Sequence, residues 1–261
     1  MRLKAFTTLI VLASAGAALA QDVTDDWEMI RQPEQKTVMA FIPMDSGLTI
    51  GFRCVDGVYG AVIAGLPAAS RNARTRILGI SVGDDHAHDT VWNVATEPTV
   101  AVADYPAPLA RELRTGGQIS ILIPNGAGDG RNLRHNLVLP ASTAAIDETL
   151  TACNRPTVDP RDELLPEIEE DGLPAGVTWA APSRPRYPRT NYSEGSAVLS
   201  CVVQPDGGLD QCVVESEFPV DGRFGAAALR GAQNARIASP GETPGQYAPR
   251  MIAFRNNFRM R

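Results

Sequence analysis

Histidine is scarce in this chain, which contains 3 in 261 residues. A serine or cysteine nucleophile needs an adjacent base, most often histidine, so few catalytic pairs could form. A Gly-x-Ser-x-Gly sequence occurs at residues 79–83, within an apolar, strand-like run that no predicted helix follows. In the hydrolases that use this motif, the serine stands at a sharp turn between a strand and a helix. The scarcity of histidine therefore predicts a protein that is not an enzyme, and no cofactor is predicted.

Positive charge is also in short supply, because 24 Lys and Arg stand against 30 Asp and Glu and the formal net charge is -6. Binding to nucleic acid requires clustered cations that neutralise phosphates. The charge balance therefore argues against nucleic acid as a partner.

Long apolar runs are absent after residue 20, because charges or prolines interrupt each of them. Before that point, Arg2 and Lys4 precede an uncharged run over residues 5–20 that closes with the small residues Ala18 and Ala20. The run is shorter than the roughly 20 residues of a membrane-spanning helix. We predict that residues 1–20 are a cleaved signal peptide. The alternative is an uncleaved anchor, and only then would the protein be attached to a membrane.

Cysteine usage indicates an oxidising compartment, because the 4 cysteines form an even set without a Cys-x-x-Cys motif. Alternating apolar residues lead to Cys201, the chain turns at residues 205–208, and Cys212 follows on the return strand. Directly opposed residues of antiparallel strands have Cα atoms about 4.5–5.5 Å apart, within disulfide range. We predict the disulfide Cys201–Cys212 and, by exclusion, Cys54–Cys153.

Residues 21–154 are predicted to form a β-rich domain, for which the sequence indicates no role. Asp56-Gly57 between two apolar runs is its clearest hairpin signal. Helices are expected over residues 108–114 and over 142–153, where Ser142 can cap the first turn. The predicted strands span residues 37–41, 48–55, 59–63, 77–82, 99–102 and 119–124.

Residues 155–183 differ in composition, with 5 prolines and the acidic run Glu167–Asp171, and are predicted to be an extended linker. Beyond them, strands are expected over 196–203, 211–217 and 251–259, with a helix over 225–235. This ββαβ unit would pack one helix on a small antiparallel sheet. The predicted fold class is therefore α+β: a β-rich N-terminal domain with a C-terminal helix, a linker, and a small two-layer domain.

An ordered set of short motifs covers the last part of the chain. The motifs are Arg184-Pro185-Arg186-Tyr187-Pro188, Gly195-Ser196-Ala197-Val198-Leu199, Pro205-Asp206-Gly207-Gly208, Val213-Val214-Glu215-Ser216, Phe224-Gly225-Ala226-Ala227-Ala228-Leu229, Pro240, Gly245 and Phe254. The set resembles the C-terminal domain of the TonB family, in which Tyr-Pro, an Asp-Gly hairpin, a helix and a last strand follow in this order. The resemblance covers about residues 182–261.

The resemblance implies a periplasmic protein of a Gram-negative bacterium that binds a protein partner. In that family the partner is an outer-membrane receptor, which adds an extended segment to an edge strand of the domain. Another envelope protein is an equally acceptable partner here. The implied partner-binding residues are Arg184, Arg186, Tyr187, Pro188, Phe254, Asn256 and Phe258. For Tyr187 and Pro188 the alternative is that they only pack the start of the domain against its sheet.

The chain also departs from the energy transducers of this family. Arg184 stands where glutamine is usual, and the paired Cys201 and Cys212 are not a general family feature. A folded domain takes the place of the long proline-rich spacer. These departures favour a binding module without transduction, and a membrane-anchored transducer for receptor transport is the alternative.

The run from Asp84 to Asp89 is the strongest candidate for chemistry, because it contains His86 and His88 among carboxylates. On a strand, both imidazoles would face one side and could bind a metal. The interpretation as a solvated loop is favoured because no third ligand is evident. A metal-dependent enzyme with its site at these histidines is the second alternative function. The glycine-rich run 125–130 lacks the ending of a P-loop and is interpreted as a hairpin turn.

Overall fold

The computed structural model describes residues 27–83, 87–164, 173–243 and 245–260. The predicted signal peptide, the acidic run Glu167–Asp171 and His86 lie outside these residues. The strands are β1 (Glu28–Gln32), β2 (Thr37–Pro43), β3 (Thr49–Val55), β4 (Val58–Ala64), β5 (Thr75–Val82), β6 (His88–Val94), β7 (Ala101–Ala103), β8 (Gly117–Gly128), β9 (Arg131–Leu139), β10 (Thr178–Ala181), β11 (Glu194–Val203), β12 (Leu209–Phe218), β13 (Arg236–Ala238) and β14 (Arg250–Arg259). The helices are α1 (Pro106–Leu113), α2 (Thr143–Ala152), α3 (Phe224–Ala232) and two 3-10 turns, Pro33–Gln35 and Pro160–Leu164.

Residues 27–153 form what we call the N-terminal module, which has a hydrophobic core of its own. Nine antiparallel strands make one sheet in the order β1-β2-β3-β4-β7-β6-β5-β8-β9. Apolar side chains alternate along the strands and meet in this core, as Ile50, Phe52 and Cys54 do on β3. Helix α1 packs on β4, and α2 packs on β2 and β3.

Local signals in this module have the predicted effect. Asp56 and Gly57 both have positive φ, 48° and 82°, at the turn between β3 and β4, which suits the twist of a two-residue hairpin. Ser142 caps α2, where its hydroxyl accepts a hydrogen bond from the backbone N–H of Ala145 at 3.5 Å. The predicted hairpin and cap are confirmed.

Residues 173–260 form the C-terminal module around a second, separate core. Its three-stranded sheet has the order β12-β11-β14, and α3 packs on β11 and β12. Phe224 begins α3 and contacts Phe258 of β14, with ring centroids 4.9 Å apart. Glycine at 195 makes this packing possible, because a Cβ there would lie 2.1 Å from a ring atom of Phe224.

Both disulfides are present with the predicted pairing. Cys54–Cys153 joins β3 to the end of α2, with Cα atoms 5.5 Å apart. Cys201–Cys212 joins β11 to β12, with Cα atoms 4.1 Å apart. The part of the chain that the structure describes contains no free cysteine. The two disulfides are consistent with an exported protein, because disulfides form and persist in oxidising compartments.

The predicted α+β class is wrong. In the part of the chain that the structure describes, strands account for 44% and helices for 16%, so the fold is β-rich with large antiparallel sheets. The prediction missed β1, β6 and β9, whose many polar residues hide the alternation. The ββαβ description also fails, because β13 follows α3 and pairs with β10 in a second small sheet.

The segment predicted as a linker is bonded to both modules where the structure describes it. Arg111 of α1 donates two hydrogen bonds to Asp162, at 2.5 and 2.7 Å. Arg161 donates to the backbone carbonyl of Gln211 on β12 at 3.0 Å. Leu173 and Val177, at the far end of the segment, belong to the core of the C-terminal module.

Among the described residues, no helix is both long enough and apolar enough to cross a bilayer.

Candidate functional site

A cleft of about 1580 Å³ lies between the two modules, and we call it the inter-module cleft. Residues of β5 and β6 line one side, and the ends of β11 and β14 line the other. Ile77 and Val91, which are opposite each other on β5 and β6, give it an apolar wall. At its margin Arg74 forms an ion pair with Glu194, the first residue of β11. The cleft therefore combines apolar area with charges of both signs.

A buried ion pair fixes β14 against the N-terminal module. The Arg255 guanidinium donates to both oxygens of Asp104, with Nε to Oδ2 at 2.9 Å. It also donates to the Oδ1 of Asn93 and the Oγ of Ser196, each at 3.1 Å. The side chains of Arg255 and Asp104 are 17% and 5% exposed. Burial raises the pKa of Asp104, and the bonds from Arg255 and Asn93 oppose that rise.

The register of β14 shows which of its backbone groups face away from β11. Met260 donates its N–H to the carbonyl of Ser193, the residue directly opposite, at 2.9 Å. Hydrogen-bonded and non-bonded pairs alternate along antiparallel strands, so the even-numbered residues of β14 bond to β11. The N–H and C=O groups of Ala253, Arg255, Asn257 and Arg259 therefore point outward. Of the described strands, only β11 pairs with β14.

The opposite edge of this sheet, β12, is protected. Its pairing with β11 is interrupted by two irregularities, whereas the ten residues of β14 pair with β11 without a break. Arg155 and Arg161 donate side-chain hydrogen bonds to the carbonyls of Val214 and Gln211 on β12. Bulges and covering side chains are ways in which proteins prevent an edge from pairing with another strand. β14 has no bulge. Its residues 251–254 are buried and the 3-10 turn Pro160–Leu164 contacts it, so the edge is exposed only at Asn257 and Arg259.

The chain was compared with known proteins. No protein-family model matches it, and no curated protein does either.

The residues predicted to bind a partner do not form one site. Phe254 and Phe258 are 3% and 6% exposed and belong to the core of the C-terminal module. Asn256 is also buried. The side chains of these three residues are therefore not accessible to a partner. A partner could contact β14 only through the backbone of the strand and through the side chains that are exposed on it.

The motif before the sheet is divided between core and surface. The Tyr187 ring lies 5.9 Å from Phe224 and 6.3 Å from Phe258, and its hydroxyl donates to the carbonyl of Tyr192 at 2.6 Å. Pro188 is buried, while Arg184 and Arg186 are exposed and line a separate pocket. Tyr187 and Pro188 thus have the contacts of packing residues, and the two arginines are available to ligands.

The histidine motif can be placed only in part. His88 is the first residue of β6, is exposed and lines the inter-module cleft. No group of three or more His, Cys, Asp and Glu side chains that could hold a metal ion occurs in the described part of the chain.

Sequence reasoning did not identify Asn257, Arg255 or Arg230 as site residues. Arg255 could have been noticed, because it is a charged residue that directly follows the apolar run Met251–Phe254 within a predicted strand. The outward direction of the Asn257 N–H depends on the register with β11 and has no signal in the sequence. The same holds for Arg230, which approaches Arg184 only in the folded chain.

Proposed function

We propose that this chain is an exported, periplasmic binding protein without catalytic activity, and that a protein partner adds an extended segment to the outer edge of β14. The observation that carries the proposal is the contrast between the two edges of the three-stranded sheet. β14 pairs with β11 without a bulge and is exposed at Asn257 and Arg259. β12 is bulged, and two of its carbonyls accept hydrogen bonds from Arg155 and Arg161. The TonB-like order of motifs supports the same mode of binding.

Main-chain hydrogen bonds would supply most of the affinity in this mode, and side chains beside the edge would supply selectivity. The outward N–H and C=O groups of Arg255, Asn257 and Arg259 are the groups that a partner strand would bond, since Ala253 is buried. These three residues also line the inter-module cleft. A partner strand on β14 would therefore lie beside the cleft, which can accept side chains of that strand.

The test uses a proline that removes one outward N–H. Asn257→Pro removes a donor that does not bond β11, and proline is tolerated on edge strands where its N–H would face away from the sheet. Asn257→Ala is the matched control, because it removes the same exposed side chain and keeps the N–H. A photo-crosslinking amino acid at Arg259, which is exposed on the same edge, reports the partner in cells.

We expect a crosslinked product of one defined mass in the unmodified background and in Asn257→Ala, and its loss in Asn257→Pro. Circular dichroism checks that the proline variant is folded. Equal crosslinking in all three backgrounds would contradict pairing through β14. A product of twice the mass of the chain would mean that β14 pairs with a second copy, which also contradicts the proposal of a different partner.

A further inference from the structure

We infer that the C-terminal module contains a phosphate-binding site, formed by Arg184, Arg186 and Arg230 and independent of the edge of β14. These arginines line a surface pocket of about 710 Å³ together with Asn234 and the small residues around them. We call it the arginine pocket. No residue of β14 contributes to it, and its lining contains no Asp or Glu.

The extended backbone places two of the arginines on one side. From residue 182 to residue 187 the exposed and less exposed positions alternate, with Pro182, Arg184 and Arg186 exposed. Side chains two positions apart on an extended chain face the same way. Pro185 supports this conformation, because the residue before a proline is biased toward extended backbone. Arg184 and Arg186 therefore project together.

Close packing against α3 brings the third arginine to the same place. A Cβ on Gly231 would lie 2.6 Å from the backbone nitrogen of Pro185, so only glycine permits this approach. Arg230 precedes Gly231 in the last turn of α3. The contact fixes the segment that carries Arg184 and Arg186 beside the end of the helix.

The charge in the pocket is not balanced by the protein. In the described part of the chain, none of the three guanidiniums forms an ion pair or a side-chain hydrogen bond, whereas Arg111, Arg161 and Arg255 are each bound to a carboxylate. The C-terminal end of α3 carries a partial negative charge of about -0.5 of a unit charge. It offsets only a small part of the charge of the three guanidiniums, so the pocket keeps a large positive charge.

The chemistry of the pocket suits phosphate better than a single carboxylate. Guanidinium groups bind phosphate oxygens through paired, charge-assisted hydrogen bonds. A phosphate monoester carries about -1.5 to -2 charges at neutral pH and offers three acceptor oxygens. One such group can engage three guanidiniums and the amide of Asn234. The volume of the pocket exceeds that of phosphate alone, so it can also hold part of the molecule that carries the group.

Calorimetric titration of the full chain with inorganic phosphate and with glycerol 3-phosphate tests the inference. We expect saturable binding, weakened about tenfold by Arg184→Gln and by Arg230→Gln, since a hydrogen bond to a charged group contributes on that scale. The matched control is Arg189→Gln. It removes the same charge from an exposed arginine of the same module that does not line the pocket. We expect less than a twofold effect there.

A second readout does not depend on variants. The side-chain amide signals of Asn234 in an NMR spectrum should shift as phosphate is added, and those of the exposed Asn257 should not. Absence of saturable binding, or equal weakening by Arg189→Gln, would overturn the inference, because either result means that phosphate is not held by this pocket.

Vesicle sedimentation distinguishes the two possible sources of the phosphate, a lipid headgroup and a free phosphorylated molecule. Vesicles of phosphatidylcholine with phosphatidic acid that bind the chain, and release it when glycerol 3-phosphate is added, assign the site to a lipid headgroup. Binding of glycerol 3-phosphate without vesicle binding assigns it to a free phosphorylated molecule. Both results support a phosphate site. Binding of a hexaglutamate peptide in the absence of any phosphate binding would overturn it in favour of an acidic peptide.

Discussion

Among the polar contacts between the two modules, the ion pair between Arg255 and Asp104 should contribute most to the free energy of unfolding. Arg255→Met keeps most of the apolar stem and removes the guanidinium. The buried Asp104 carboxylate then loses both of its bonds from Arg255, and Asn93 and Ser196 each lose one donor. Asp104 then keeps only the hydrogen bond from the side-chain amide of Asn93, at 3.0 Å.

The expected cost follows from the burial of the pair. Both side chains are at least four-fifths buried, at 17% and 5% exposure. Removing one partner of such a pair costs about 3–5 kcal/mol, because the other charge stays buried without compensation. A whole domain is stable by about 5–15 kcal/mol, so the loss is a large share of the total.

Urea unfolding followed by circular dichroism and by tryptophan fluorescence measures the loss. Arg259→Met is the matched control, since Arg259 lies on the same strand and the same face but is exposed. Its free energy of unfolding should change by no more than about 0.5 kcal/mol. The double variant Asp104→Asn with Arg255→Met should lose less than the sum of the two single losses, by about 0.5–3 kcal/mol. A loss below about 1 kcal/mol for Arg255→Met would refute the reasoning.

Two other predictions concern the disulfides and the carboxylate of Glu242. Replacing both cysteines of Cys54–Cys153 by alanine should lower the free energy of unfolding by about 5 kcal/mol, and the same change at Cys201–Cys212 by about 3 kcal/mol, because a longer loop loses more chain entropy. Denaturant unfolding measures both, and a reversed order would contradict this account. Hydrogen bonds from Ser239 and then Arg250 lower the pKa of Glu242 from 4.5 to about 2. The stability from this group is complete above pH 4.5 and is lost as the pH falls toward 2, and an NMR titration that gives an ordinary pKa would exclude it.

Local chemistry made part of this structure predictable. The hairpin at Asp56-Gly57 requires two residues that tolerate positive φ, and the cap at Ser142 requires a short side-chain acceptor, so each is specified within a few positions. The disulfide Cys201–Cys212 was predictable because strand alternation and turn length together set which residues face each other. Its partner pair then followed by exclusion.

Contacts between distant segments were not predictable in the same way. Arg255 and Asp104 are separated by 151 positions, and no local pattern relates them. Residues 155–164 have the composition of a linker, yet Arg161 donates to the carbonyl of Gln211 on β12, 50 positions away, because the fold brings these groups together. The same effect explains the wrong fold class, since β10 forms only where β13 supplies a partner strand.

The ion pair also bears on the proposed function, because Arg255 belongs to the strand that would receive a partner. Its N–H points outward from β14, while its side chain is held by Asp104 on the N-terminal module. The outer edge of β14 is thereby fixed beside the wall of the inter-module cleft formed by β5 and β6. The N-terminal module would then restrict which segments can pair with β14, since side chains of a partner strand must fit this wall. Arg255→Met keeps the outward N–H and removes only the side-chain contact with Asp104 that fixes β14 in place. It should therefore weaken selection among partner segments more than it weakens pairing itself, whereas Asn257→Pro should abolish pairing for every segment.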